Sequence, residues 1–230
     1  MERRWVPVLL LGALAAVLAG AIISISVGEK GSQTIEITGA GEVQQLIGGI
    51  RQLDERLGDE DAPIRLTLFI DVMSPRAAAY QAQVVDPLIE QRVRTGEASI
   101  NLKHYPEGLK PTTAGAVGVE AAAAQDHGWQ YAALFMRNLG EVPEEGVNQE
   151  FLNEVAAVVP KLEVTAWEEL VVDSASNAAA EEDNAQATAL RLPAGQTVIV
   201  ETDQGTEELL EAPSLAEIEA AIERLGGVIA

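Results

Sequence analysis

The residues of this chain that could do chemistry begin where an apolar run ends, in the stretch Phe69–Tyr80 with the sequence FIDVMSPRAAAY. Ser74 could act as a nucleophile, which requires a general base within hydrogen-bonding distance and an oxyanion hole. The chain contains two histidines that could be that base, His104 and His127. The favoured interpretation is structural, because serine followed by proline is typical of the N-cap and first position of a helix.

The other polar residues near this stretch also have a structural and a functional interpretation. The two histidines could bind a metal ion, although a surface or helix-end role is more usual. Asp71 fits ordinary packing at the end of a strand, and a retained polar site residue is the alternative. Arg76 is expected to be solvated in the first turn of a helix, and binding of an acidic group is the alternative. No metal site and no cofactor are predicted.

The composition of the 230-residue chain excludes several classes of function. The absence of cysteine rules out a disulfide framework, thiolate metal ligands and any thiol chemistry. The formal net charge of −21 disfavours binding to nucleic acid, because phosphates repel an acidic surface. Short acidic runs such as DED and EED are interpreted as solvated faces. A weak calcium-binding or cation-partner surface is the alternative, but no run has the spacing of a calcium loop.

The segment Trp5–Val27 predicts an N-terminal transmembrane helix. It carries no charge, and at about 1.5 Å per residue it reaches about 34 Å, enough for a bilayer core of about 30 Å. Arg3 and Arg4 precede it, so the positive-inside rule leaves the N-terminus in the cytoplasm and the remainder outside. A cleaved signal peptide is the alternative, since LAGA (Leu18–Ala21) supplies small residues, but the apolar run continues beyond it.

The chain is therefore predicted to be a single-pass protein of the cytoplasmic membrane with three parts. A signal anchor covers residues 1–27, a polar linker covers 28–42, and an extracytoplasmic folded domain covers 43–230. Within the linker, TIEIT (Thr34–Thr38) predicts a short strand or an extended arm.

The elements that must position Ser74 follow from hydrophobic periodicity and turn residues. An amphipathic helix that ends at Gly58 is predicted from apolar residues at spacings of three and four: Val43, Leu46, Ile47, Ile50, Leu53 and Leu57. A buried strand is predicted over Ile64–Val72, then a helix that begins at Ser74, then a second strand over Ala98–Tyr105.

The second half of the domain is predicted to be mainly helical. A block of helices covers about residues 111–189, with four residues expected in its core: Trp129, Tyr131, Phe135 and Met136. A strand over Gln196–Thr202, a partner strand in TEELLE and a last helix over Ser214–Leu225 follow. A βαβ unit followed by a hairpin and a helix is the thioredoxin arrangement, an α/β fold, with the helical block as an insertion.

From about Val43 to its end, the chain resembles the DsbA-like thioredoxin-fold proteins, in particular the membrane-anchored bacterial members. In that family a turn of the form LGDxxAP leads through a strand to an acidic residue and then to Cys-Pro-x-Cys. Here LGDEDAP leads through IRLTLFID to VMSPRA, so Ser74 and Ala77 stand in the places of the two cysteines. Near the C-terminus, Gln196 and Thr197 stand in the places of the family's cis-proline and the threonine that follows it.

The resemblance implies a family of thiol–disulfide oxidoreductases, and the departures imply a degenerate, redox-inactive member without catalytic residues. Exchange needs a thiolate at a helix N-terminus, whereas a serine hydroxyl stays protonated and forms no disulfide. Alanine at position 77 removes the resolving group. Without proline at position 196 the substrate-docking loop loses its enforced geometry, since a non-proline cis bond costs about 2.5–4 kcal/mol.

Three functions follow from this sequence. The favoured one is a membrane-tethered, non-catalytic domain that binds an extended peptide or a partner protein in the groove that redox relatives use for substrates. Its candidate binding residues are Ser74, Pro75, Arg76, Gln196 and Thr197. The second is a thiol–disulfide oxidoreductase, as the family implies, which the absence of cysteine disfavours. The third is a structural envelope protein whose acidic surface serves solubility. No nucleic acid partner is expected.

Overall fold

The computed structural model of the protein describes residues 35–106, 114–142 and 146–226. The predicted anchor, Trp5–Val27, lies outside these residues. Within them, no helix is both long enough and apolar enough to cross a bilayer. The membrane anchor therefore stays a prediction.

A mixed sheet lies at the centre of the described domain, with the strand order β1-β2-β4-β3-β5-β6. Its strands are β1 (Gln52–Leu53), β2 (Arg56–Leu57), β3 (Ile64–Ile70), β4 (Ala98–His104), β5 (Thr197–Thr202) and β6 (Gly205–Leu209). β3 and β4 are parallel neighbours, while β5 runs antiparallel to β3 and forms a hairpin with β6. This is the predicted βαβ unit followed by a hairpin.

The helices also follow the predicted order. They are α1 (Ala40–Ile47), α2 (Pro75–Tyr80), α3 (Asp86–Leu88), α4 (Ala114–Ala123), α5 (Gly128–Arg137), α6 (Gln149–Val158), α7 (Val164–Val172), α8 (Ser174–Ala189) and α9 (Leu215–Arg224). Two π-helical segments, Gln81–Val85 and Ile89–Val93, join and extend α2 and α3, so the chain is helical from Pro75 to Val93. α4 to α8 form the helical insertion between β4 and β5.

β3 is the central strand, and it buries apolar side chains on both faces near its end. Leu66, Leu68 and Ile70 face the main core. Phe69 faces the opposite side, where it belongs to a second apolar cluster with Ala187 and Leu192. Burial on both faces explains why the end of this strand reads as a continuous apolar run rather than an alternating one.

The prediction of one amphipathic helix that ends at Gly58 is wrong for its second half. α1 ends at Ile47, before Gly48 and a Gly49 with φ of 83°. The chain then forms the β1–β2 hairpin around Asp54, whose φ is 50°. A spacing of three and four does not separate one helix from a shorter helix plus a hairpin, and the glycine pair decides between them.

The N-terminal edge of the domain also differs from the predicted boundary at residue 43. α1 begins at Ala40, so residues 40–42 are helical rather than part of the linker. Before it, Ile35–Thr38 pairs with no strand of the described sheet, as expected for the extended arm. The Thr38 backbone N–H donates to Asn138 Oδ1 at 2.9 Å, and Asn138 Nδ2 donates back to the Thr38 carbonyl at 3.0 Å.

The core of the helical insertion is aromatic, as predicted. The four residues expected there are each at most 1% exposed: Trp129, Tyr131, Phe135 and Met136. The ring centroids of Tyr131 and Trp167 lie 5.4 Å apart, and the Trp167 indole donates to the Gly118 carbonyl at 2.9 Å. These rings fill the space between α4, α5 and α7.

The last helix, α9, is held at its start by a capping box. The Ser214 hydroxyl accepts from the Glu217 N–H, and the Glu217 carboxylate accepts from the Ser214 N–H at 2.8 Å. Replacing Ser214 with alanine is expected to lower the free energy of unfolding by about 1 kcal/mol, because one helix N–H loses its acceptor. Urea denaturation measures this loss. Ser214→Thr retains the hydroxyl, so equal losses in the two variants would contradict the capping role.

Candidate functional site

The junction between β3 and α2 is built by local hydrogen bonds. Asp71 Oδ1 accepts from the Met73 N–H at 2.9 Å, and the Ser74 N–H donates to the Asp71 carbonyl at 2.9 Å. Ser74 has extended backbone angles, and its hydroxyl accepts from the Arg76 N–H at 3.2 Å. The N-cap role predicted for Ser74 is therefore confirmed, and Asp71 folds the turn that leads to it.

The sheet brings the loop before β5 to the same end as this junction. β5 runs antiparallel to β3 with Thr197 opposite Phe69, so Gln196 falls at the end of β3, where the chain turns toward Ser74. The Gln196 carbonyl accepts from the Ala212 N–H at 2.8 Å. The peptide bond before Gln196 is trans, as are all peptide bonds of the described residues. The loop is thus held by a backbone hydrogen bond.

The five candidate binding residues differ sharply in accessibility. Ser74, Gln196 and Thr197 are 8%, 4% and 0% exposed, whereas Pro75 and Arg76 are exposed. A partner at this junction would therefore meet the first turn of α2, and the buried residues would act by holding that turn in place.

His104 lies at the same end of the sheet, paired in register with Ile70. It is 4% exposed, and neither ring nitrogen has a hydrogen-bond partner among the described residues. Burial lowers the pKa of His104, and the nearby Asp71 opposes this shift, so the imidazole is neutral at physiological pH. The surface role expected for an isolated histidine is wrong here, because the strand end is covered.

The second histidine lies elsewhere. His127 is the N-cap residue of α5, and its neighbours in the chain contact the β1–β2 hairpin. The Asp54 N–H donates to Asp126, and the Trp129 N–H donates to Gln52. The structure therefore does not bring both histidines to Ser74.

The structure also forms a buried charged cluster that the sequence analysis did not predict. Carboxylate oxygens of Glu55, Glu120 and Asp183 lie within 4.8 Å of one another. The Lys103 ammonium is 2.9 Å from Asp183 Oδ1 and also pairs with Glu55. We call these four residues the acidic cluster. It joins the β1–β2 turn, β4, α4 and α8.

Burial sets the proton affinities in the acidic cluster. Loss of hydration, then repulsion from Asp183, raises the pKa of Glu55 to about 7, although Lys103 opposes the shift. Loss of hydration, then repulsion from Glu55, raises the pKa of Glu120 to about 8. Burial raises the pKa of Asp183 as well, again against Lys103. The cluster is therefore a site where protons bind near neutral pH.

Three carboxylates at this spacing could hold a hard cation such as Ca²⁺. The Lys103 ammonium already lies between two of them and supplies the positive charge that a metal would bring. The arrangement is therefore satisfied as an ion-pair cluster, and we assign no metal to it. One signal in the sequence could have indicated it: Glu120 is the only charged residue of α4, AGAVGVEAAA, a helix apolar on every face.

Comparison with known proteins gives a family-level match. A family model described as thioredoxin matches residues 52–224. No curated protein sequence matches the chain.

Solved structures match over most of their length. The alpha-DsbA1 protein of Wolbachia pipientis has a TM-score of 0.64 and 16% identity, covering 76% of this chain and 91% of that chain. BdbD of Bacillus subtilis, in its oxidised form, has a TM-score of 0.62 and 17% identity, covering 76% of this chain and 96% of that chain. DsbA of Chlamydia trachomatis has a TM-score of 0.61 and 21% identity, covering 75% and 91%. At these identities the similarity shows the fold, and the resemblance predicted from VMSPRA is confirmed at that level.

Proposed function

This chain belongs to the thioredoxin family, and from this premise we propose that it is a redox-inactive, membrane-tethered domain that binds an extended peptide or a partner protein at the β3–α2 junction. The observation that carries the proposal is the junction itself. The serine N-cap and the proline at the first helical position are intact, but Ser74 and Ala77 occupy the places of both thiols. A surface retained without its reactive groups can still bind.

The exposed first turn of α2 supplies the groups that would contact a partner. The Arg76 side chain is exposed and can form a bidentate hydrogen bond with a carboxylate of a partner. An extended segment can also pair with backbone groups where a loop meets the end of a sheet, a common way of binding peptides. The buried Ser74 and Gln196 support this surface rather than contact the partner.

In this proposal the apolar segment Trp5–Val27 anchors the domain at the outer face of the cytoplasmic membrane. The support comes from the sequence: an uncharged run long enough to cross a bilayer, preceded by Arg3 and Arg4. Tethering confines the domain to partners that lie at, or pass close to, the membrane surface.

Site-specific photo-crosslinking of the full-length chain in its native membrane tests the proposal. A photoreactive residue at position 76 is expected to give a discrete crosslinked product, and the same residue at position 51, another exposed arginine, is expected to give none. Once the product is identified, Arg76→Ala is expected to weaken binding about tenfold, the value of one charge-assisted contact, and Arg51→Ala is expected to have no effect. Equal crosslinking at both positions would contradict the proposal.

A further inference from the structure

Glu120 is the member of the acidic cluster that lacks a partner. The residue is 9% exposed, and the charged groups among the described residues act on its carboxyl through space, without a hydrogen bond to it. By contrast, Glu55 and Asp183 both pair with Lys103, and Asp183 also accepts from the His104 backbone N–H. A buried carboxylate without a partner is strongly unfavourable, whereas a buried carboxylic acid is tolerated.

The charged groups that face Glu120 come from three other elements. The β1–β2 turn contributes Asp54 and Glu55, α8 contributes Asp183, and β4 contributes Lys103, the one cation among them. Three other helices, α5, α6 and α7, pack against α4 without adding a charge that acts on Glu120. α5 contributes Tyr131, whose hydroxyl donates to the Leu152 carbonyl, and α7 contributes Leu170 to the neighbouring wall. If every group ionised, four carboxylates would surround one ammonium.

A cavity of about 300 Å³ connects this cluster with solvent. Its lining includes Glu55 and Glu120 together with Ser176 and Ala179 of α8. Water in the cavity reaches only the small exposed part of the Glu120 side chain, and outward movement of α8 would hydrate the whole carboxyl. This gives the carboxyl two environments: buried against the other acids, or hydrated in an opened cavity.

The acidic cluster is also linked to the end of β4. Asp183 Oδ2 accepts from the His104 N–H at 2.8 Å, and His104 is paired with Ile70 immediately before the β3–α2 junction. Movement of α8 therefore changes a hydrogen bond at the strand end that supports the junction.

We propose that Glu120 is a proton-controlled contact between the helical insertion and the sheet. The neutral acid packs against Glu55 and Asp183 and holds α8 on β4. Loss of its proton places a further negative charge in the cluster, drives the carboxylate into the cavity and loosens α8. The proposal concerns contacts within the domain and does not depend on the proposed function.

The direction of the pH dependence follows from the two environments. The pKa of Glu120 is about 8 in the packed state and returns toward its ordinary value of 4.5 when the side chain is hydrated. The contact is therefore strongest below about pH 4.5 and is lost as the pH rises toward about 8. Between these limits the population of the opened state rises about tenfold per pH unit.

Hydrogen exchange of α8 amides in the full-length chain tests the proposal. After correction for intrinsic exchange rates, opening of α8 is expected to rise at least about tenfold between about pH 6 and about pH 8. Glu120→Gln mimics the neutral acid and is expected to reduce this rise several-fold, and the remainder comes from Glu55 and Asp183, whose pKa values burial also raises. Glu181→Gln, on the exposed face of α8, is the matched control and is expected to retain it. A rise of equal size in Glu120→Gln, or none in the wild type, would overturn the proposal.

A second measurement, an NMR titration, needs only the wild-type chain and so does not require that a variant folds. Carbon-13 NMR of labelled glutamate carboxyls in the wild-type chain is expected to show a carboxyl that still titrates near pH 8, and the absence of one would overturn the proposal. Calcium chloride is then added at pH 8. Suppression of α8 opening by Ca²⁺ in the wild type but not in Glu120→Gln would also overturn the proposal, because the carboxylate would then be a metal ligand. No effect of Ca²⁺ is expected.

Discussion

Replacing Lys103 with methionine is expected to lower the free energy of unfolding by about 3–5 kcal/mol at neutral pH. Lys103 is the cation that pairs with both Glu55 and Asp183, and Asp183 is 1% exposed. Removing the ammonium leaves the buried Asp183 and the half-buried Glu55 beside Glu120, with mutual repulsion and no counter-charge. Urea denaturation of the full-length chain, followed by the fluorescence of the buried Trp129 and Trp167, measures the loss.

The pH dependence of this loss identifies its cause. The raised pKa values of Glu55 and Asp183 mean that both acids take up protons more easily in the folded state, so lowering the pH neutralises them and reduces the loss. Lys161→Met, at an exposed lysine, is the control and is expected to cost less than about 0.5 kcal/mol. A loss below about 1 kcal/mol for Lys103→Met at neutral pH would show that the ammonium does not stabilise the cluster.

Introducing two cysteines by Ser74→Cys and Ala77→Cys is expected to turn a chain without thiol chemistry into one that forms an intramolecular disulfide. The N-cap hydroxyl of Ser74 already accepts from the Arg76 N–H. A thiolate in its place would gain the same hydrogen bond and the positive end of a helix that runs to Val93. We expect the thiol at position 74 to have a pKa at least about one unit below its ordinary value of about 8.5.

The measurements are the pH dependence of alkylation, gel mobility after mild oxidation, and insulin reduction. Ser74→Cys alone is the matched control, with the lowered pKa but no internal disulfide. Ala77 is fully buried, so formation of the bond also tests whether a sulfur fits beneath the turn. Failure of the double variant to form a disulfide while it remains folded would show that the junction has lost the geometry of a redox site. Insulin reduction by the wild-type chain above background would contradict the proposed function itself.

Much of the fold could be predicted because its signals are local. The apolar run Ile64–Ile70, the Ser74–Pro75 helix start and the final helix are each marked within a few residues. The hairpin after Gln196 and the helical insertion follow from the same kind of pattern. The wrong prediction after Ile47 has an equally local cause. Apolar spacing predicts a helix through Gly48 and Gly49, but a pair of glycines favours the end of a helix.

The candidate site could be predicted only in part. The resemblance of VMSPRA to the family's Cys-Pro-x-Cys segment indicated Ser74 as a site residue. In the structure, the antiparallel pairing of β3 with β5 brings Gln196 to the same end of the sheet. Which of these residues a partner can touch was not predictable, because exposure depends on the loops and helices that cover the strand ends. Arg76 is exposed, while Gln196 and His104 are buried.

The sequence by itself determined that this chain has no thiol to exchange, because that chemistry needs cysteine and folding cannot supply one. It also determined the order of the strands and helices from β3 onward, because their apolar residues recur at the spacing of a strand or a helix. Only the tertiary structure decided that Glu55, Lys103, Glu120 and Asp183 meet in one buried cluster. Those residues come from four separate elements, and the hydration that each one loses, which sets its charge, depends on packing between elements rather than on neighbours in sequence.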